Sequence, residues 1–334
     1  MNKKVIAGII LSIILVYLSI KGVDVRNSLH NLKNINLFYV AVFIIIVVFV
    51  QFLRSYRWGL ILSPFQKIKQ ISLFSVTSVG FLAIAAFPAR MGELARPYLI
   101  AQKSGIKFSS ALGTIIVERV LDGLSILAIA MIMLLLTDLP SWMIKSSIIF
   151  AIFTLAILLC IIFLILRREA ALKFINLILS KLPGKLAHKL DGLIHHLIDG
   201  FSIITNVKIL FYILFLSFFI WLINSLAIYT LFMAFSFSLP LIAAIVVMVV
   251  LLVGIAIPTA PGYIGNWHFA CILGLSIFSM SRPDAFSFAL VYHFLSIAIV
   301  VFLGLTFLPF NKISFADMIK RLNKVERDEE IKKA

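Results

Sequence analysis

Between Phe87 and Asp122 the chain gathers six charged side chains: Arg90, Glu93, Arg96, Glu118, Arg119 and Asp122. Three guanidinium groups and three carboxylates can neutralise one another when empty and release a cation to an arriving anion. Arginine suits that task, because its planar fork of donors matches phosphate or carboxylate oxygens in pairs. On a continuous helix Arg90, Glu93 and Arg96 would share one broad face. Pro97 instead points to a short helix that ends near Arg96 or begins near Pro97. Glu118 lies four residues before Asp122 and Arg119 three before it, spacings that bring side chains together on one helix. Gly92 leaves room for a close neighbour. The plainer reading is a set of buried ion pairs that fixes a bundle. Desolvation weighs against it, since apolar packing holds helices together at lower cost.

A second constellation runs from Pro258 to His268, with Pro261, Gly262 and Gly265 inside it. Two prolines and two glycines so close together break a helix within an apolar region. Backbone N–H groups freed at the start of the next helix could then face an anion; a loop between two spans is the simpler alternative. His268 and His293 are candidates for proton exchange near neutral pH, or else hydrogen-bonded core histidines. His188, Asp191, His195 and Asp199 share a stripe, which reads as a solvated face rather than a metal site. No Gly-x4-Gly-Lys-Ser/Thr loop, Gly-x-Ser-x-Gly elbow, His-Glu-x2-His pair or Cys-x2-Cys pair occurs. No cofactor or metal is therefore expected.

The elements that must position these groups follow from composition. Hydrophobic residues make up 62% of the chain, and its mean hydropathy is +1.13. Apolar runs at 5–20, 37–53, 71–87, 123–136, 144–166, 209–233, 239–257, 269–280 and 284–308 are too numerous for a soluble core. A helix needs roughly 20 residues to cross ~30 Å of hydrocarbon, and backbone polar groups there must be satisfied internally. The expected fold is an all-α polytopic membrane protein.

The net charge of +16 is not a nucleic-acid signal, because the surplus sits between the spans. Basic stretches at 54–69 and 90–107 both belong in the cytoplasm by the positive-inside rule, which requires 71–87 to dip in and return. About eight transmembrane helices plus this re-entrant hairpin then leave both termini inside the cytoplasmic membrane. Residues 1–310 form one transmembrane domain, 167–208 a cytoplasmic amphipathic loop and 311–334 a charged tail. Pro88-Ala-Arg-Met-Gly92-Glu93 and Pro261-Gly-Tyr-Ile-Gly265-Asn266 share a Pro-x3-Gly-polar pattern, each after an apolar run. Matching interruptions of this kind suggest an internal repeat with a site at its centre. Cys160 and Cys271 lie in apolar runs and read as small core residues.

Four stretches together resemble the lysylphosphatidylglycerol synthase transmembrane-region family, a flippase-like domain also found in archaeal dolichol-linked glycosylation proteins. They are Arg54-Ser-Tyr-Arg57-Trp58, Pro88-Ala-Arg-Met-Gly92-Glu93-Leu-Ala-Arg96, Glu118-Arg119-Val-Leu-Asp122 and Pro261-Gly-Tyr-Ile-Gly265. His268 stands where many members carry Glu, so no acid is expected to act there. The resemblance implies a protein that moves a charged lipid between leaflets, its partner an anionic phospholipid or a prenyl-phosphate-linked lipid. It covers the flippase part alone, so lysyl transfer is expected to be absent. Arg57, Arg90, Arg96 and Arg119 would meet the headgroup, with Glu93, Glu118 and Asp122 as counter-ions. Two alternatives stay open: an enzyme that modifies a lipid headgroup, and an accessory subunit of a lipid-modifying enzyme.

Overall fold

The computed structural model describes residues 3–21, 23, 34–87, 92–136, 141–167, 206–256 and 260–311, with 169, 173, 177, 192, 194–196 and 198–201. Among them all regular structure is helical. The order is α1 (Lys3–Ile20), α2 (Leu37–Leu62), α3 (Gln70–Ala86), α4 (Ala95–Ser104), α5 (Phe108–Leu136) and α6 (Ser141–Leu166). After the 167–208 stretch come α7 (Val207–Ala234), α8 (Leu241–Ala256), α9 (Asn266–Ser276) and α10 (Arg282–Phe307). Short 3-10 turns at 92–94 and Pro261–Tyr263 lead into α4 and α9. Arg90, most of the amphipathic stretch and the tail after 311 lie outside the described residues.

Four helical segments, Leu37–Leu62, Ile144–Leu164, Val207–Ala234 and Arg282–Phe307, are long and apolar enough to cross a bilayer. Their outward residues are oily, as Ile149, Ile152, Phe153 and Leu159 on α6 illustrate, while Arg57, Glu118 and Asp122 are buried. That inside-out polarity suits lipid as the solvent. The protein is an all-helical membrane protein.

Helix lengths recur in order. A 26-residue α2, a 17-residue α3, a turn, a 10-residue α4 and a 29-residue α5 form the first series. A 28-residue α7, a 16-residue α8, a turn, an 11-residue α9 and a 26-residue α10 form the second. The run 269–280, expected to cross, holds only α9, which at 1.5 Å per residue reaches ~16 Å, about half the hydrocarbon thickness. It forms the return limb of a hairpin with α8. In the segment 71–87 the helix runs unbroken to Ala86, and the turn-back comes after it.

Both short pairs are antiparallel hairpins. A Cβ on Gly92 would overlap the backbone of Ala83 and Ile84, and one on Gly80 would overlap the Arg96 side chain. Moving back along α3 thus means moving forward along the returning chain. In the second pair the Asn266 side-chain amide donates to the Gly254 carbonyl at 3.1 Å. A Cβ on Gly274 would stand 3.1 Å from the Val247 α-carbon.

The chain divides into two compact units, one of residues 1–52, 74–96 and 220–334, the other of 53–73 and 97–219. Within the first, α10 acts as a ruler. Asn311 and the Phe307 carbonyl meet Ser75 near the start of α3 (2.7 and 3.4 Å), and Gly304 lies against Leu82. At the opposite end Phe232, Phe235 and Phe237 pack on Phe288, with ring centroids 5.0, 5.6 and 6.2 Å away. There the Ala234 carbonyl also accepts the Asn36 amide at 2.9 Å. The first hairpin consequently enters beside the C-terminal end of α10 and the second beside its N-terminal end. Ala85 of the first and Gly262 of the second come together near its middle. His293 Nε2 donates to the Gly262 carbonyl at 2.7 Å, and a Cβ on Gly262 would stand 3.9 Å from the Ala85 carbonyl oxygen. Within the second unit α5 and α6 pack closely, with Gly123 against Thr154.

Candidate functional site

The second unit holds a charged cluster built from α2, α5 and α7. Arg54, Arg57 and Trp58 fall on one face of α2. On α5, Thr114, Glu118 and Asp122 recur every four residues and form a single stripe. The two faces are joined at one end by Trp58 Nε1 donating to Thr114 Oγ1 at 3.1 Å. This contact fixes the register that brings Arg57 opposite the carboxylates.

Arg57, with 1% of its surface exposed, is the hub. Its Nη1 donates to Asp122 Oδ1 at 2.5 Å and its Nη2 to Oδ2 at 3.3 Å, a two-pronged pair. Nη2 also lies 3.5 Å from Glu118 Oε1. Nη1 reaches Ser217 Oγ on α7 at 2.8 Å, and that hydroxyl in turn donates to the Ile213 carbonyl. Arg57 Nε is buried without a hydrogen-bond partner. A guanidinium this deep is tolerable only because two anions compensate it.

Arg119 shares the same carboxylates from the rim. Its Nη2 sits 2.9 Å from Glu118 Oε1 and its Nη1 3.7 Å from Asp122 Oδ2. Its side chain is 41% exposed, against 1% for Glu118 and 8% for Asp122. Arg54 lies within electrostatic reach of Arg57, Glu118, Arg119 and Asp122. Three guanidinium groups and two carboxylates thus lie together in the cluster. Chemically, the cluster pairs two buried carboxylates with guanidinium groups, one of which is partly exposed.

Of the residues expected to act, the structure brings together Arg57, Glu118, Arg119 and Asp122. Glu93 and Arg96 belong to the first unit. Arg96 is buried on α4 beside Gly80, with its guanidinium carbon 5.9 Å from the centre of the Phe81 ring. Glu93 lies in the 92–94 turn, so it does not continue the helical face of Arg96. Gly92 serves the close approach to α3 described above. Pro261, Gly262 and Gly265 form the second turn, where Gly262 and Gly265 take φ of 70° and 95°, conformations that favour glycine. His268 follows in the first turn of α9, its ring 4.7 Å from that of His293.

Ser217 was not singled out, because one hydroxyl in an apolar run carries no sequence signal of its own. The Trp58–Thr114 bond was equally hidden, although the spacing of four from Thr114 through Glu118 to Asp122 marks that face of α5. Among the described residues no group of three metal-ligating side chains occurs. Both cysteines are free, with Cys271 buried and Cys160 exposed.

Comparison with known proteins agrees with this architecture. The UPF0104 membrane protein MJ1078 of Methanocaldococcus jannaschii is 25% identical over 223 residues, 65% of this chain and 88% of that protein. No solved structure matches the chain. The model of the lysylphosphatidylglycerol synthase TM region matches residues 5–304. That match takes in both helical hairpins and every member of the charged cluster, and the chain belongs to that family of multi-pass membrane proteins.

Proposed function

We propose that the protein carries the anionic headgroup of a lipid between the two leaflets of the cytoplasmic membrane. The observation that carries this reading is the cluster around Arg57, in which guanidinium groups share two buried carboxylates and one of them, Arg119, is exposed at the rim. An incoming phosphate takes Arg119 from Glu118 and Asp122, which remain paired with Arg57, so no step strands a bare buried charge. The acyl or prenyl chains stay in lipid while the headgroup alone crosses. Both carboxylates are already engaged by guanidinium groups, which suits counter-ions better than the general base an enzyme would need. Six helices, α1, α2, α5, α6, α7 and α10, cross the bilayer in this scheme. The hairpins α3–α4 and α8–α9 enter from the cytoplasmic and outer faces, and both termini are cytoplasmic.

The test is transfer of a fluorescent phosphatidylglycerol between leaflets of vesicles holding the purified protein. Wild type is expected to move it, and Arg119→Ala is expected to stop the movement. Equal transfer by both would remove the cluster from any role in transport.

A further inference from the structure

Residues 194–196 and 198–199 are helical, and the chain that follows them rests on the start of α5 within the second unit. Ile198 and Phe201 are buried there. A Cβ on Gly200 would stand 2.5 Å from the Ser110 carbonyl oxygen and 2.6 Å from the Gly113 α-carbon, so two backbones touch. Thr114, the next residue of α5, accepts Trp58 Nε1 and donates to the Ala111 carbonyl at 2.6 Å. The junction therefore adjoins the bond that sets the register of Arg57.

Three side chains span the same junction. Lys107, in the turn before α5, has its Nζ 2.7 Å from His196 Nε2, and His196 Nδ1 lies 3.5 Å from Asp199 Oδ2. An ammonium group can only donate. Nε2 must therefore accept, which leaves the ring proton on Nδ1, facing Asp199. Only a neutral imidazole meets that requirement. A protonated ring carries hydrogen on both nitrogens and sets a second cation against the ammonium. It then retains Asp199, a partner on its own helical stretch, and repels Lys107. Lys107 and Asp199 are the charged groups against the ring, and His195 precedes it in the chain. The His196 side chain is 33% exposed, so protons reach it from solution.

We infer that Lys107 and His196 form a proton-operated latch, which holds Gly200 on α5 while the imidazole is neutral and releases it on protonation. Histidine ordinarily makes that change between about pH 5 and 8. The latch is closed above the change and open below it. Opening loosens the first turns of α5, weakens the Trp58–Thr114 register and slows transfer at the Arg57 cluster. That last step rests on the lipid-transport reading above; the latch itself does not.

The test uses the full chain in detergent. Nitrogen NMR of protein with isotope-labelled histidine, with His196→Gln to identify the signal, should place the His196 proton on Nδ1 at about pH 7.5. A proton on Nε2 there overturns the inference. Hydrogen exchange over residues 108–114, corrected for the intrinsic effect of pH, should rise about threefold between about pH 7.5 and 5.5. His196→Gln offers Lys107 an amide oxygen at either pH, so its exchange should stay low at both. Lys107→Met lacks the donor and should exchange fast at both. The same pH response in wild type and His196→Gln overturns the latch, as does Lys107→Met protected like wild type at the higher pH. In phosphatidylglycerol vesicles, lipid transfer should fall as exchange rises. Transfer indifferent to pH while exchange responds would strike the link to the cluster. If exchange follows the latch but wild type moves no lipid at either pH, the latch stands and the transport reading alone fails.

Discussion

Arg57 and Arg119 hold the same two carboxylates from opposite situations, one sealed inside and the other at the rim. Removing Arg57 leaves Glu118 and Asp122 buried with one partner fewer, and breaking a buried pair costs about 3–5 kcal/mol. Removing Arg119 breaks contacts that water already screens, with an expected cost of about 0–1 kcal/mol. Arg57→Ala should therefore lower both the melting temperature and lipid transfer, whereas Arg119→Ala should abolish transfer with little change in melting. Thermal unfolding in detergent beside the vesicle assay separates the two. A large loss of stability in Arg119→Ala would make its exposed position irrelevant. Ser217→Ala should act like a mild Arg57 variant, since a hydrogen bond to a charged group contributes about 1.5–3 kcal/mol.

At the scale of elements, the hairpins depend on glycines placed where backbones touch. Gly92→Leu forces a side chain into the backbone of Ala83 and Ile84. Overpacking of this kind costs about 1–3 kcal/mol. It should unseat the return of the first hairpin, which limited proteolysis would report as new cleavage between α3 and α4. Gly265→Ala combines a φ of 95° with a clash on the Ser12 carbonyl and should destabilise the second turn similarly. Much of this was legible in the sequence. The basic stretches at 54–69 and 90–107, on either side of 71–87, already argued against an ordinary span there. Helical spacing likewise paired Arg119 with Asp122. The second hairpin was legible only as a break around Pro261, Gly262 and Gly265, because α8 and the later part of α9 are oily and resemble crossings until their lengths are known. Nor did local spacing reveal that Arg57, 65 residues from Asp122, is the hub; only tertiary packing joins them.

For the whole molecule, the repeated series of helix lengths and the opposite entry of the hairpins make a topological prediction. In a variant whose Cys160 and Cys271 are replaced by Ser, single cysteines report the side of each loop to an impermeant maleimide. Gln66→Cys and Lys107→Cys should label only after the cells are opened. Ser238→Cys and Met280→Cys should label in intact cells. If Gln66 and Lys107 fell on different sides, α3 would cross the bilayer and the two series would not be inverted.

The bond from His293 to the Gly262 carbonyl fastens the second turn to the middle of α10. Were that turn to retreat, an imidazole and a carbonyl would be stranded in oil at a penalty of a few kcal/mol. On the proposed transport reading, that bond would keep the membrane electrically tight while a much larger charged cargo passes. Vesicles carrying His293→Leu should accordingly lose an imposed potassium gradient faster than those with the unaltered protein.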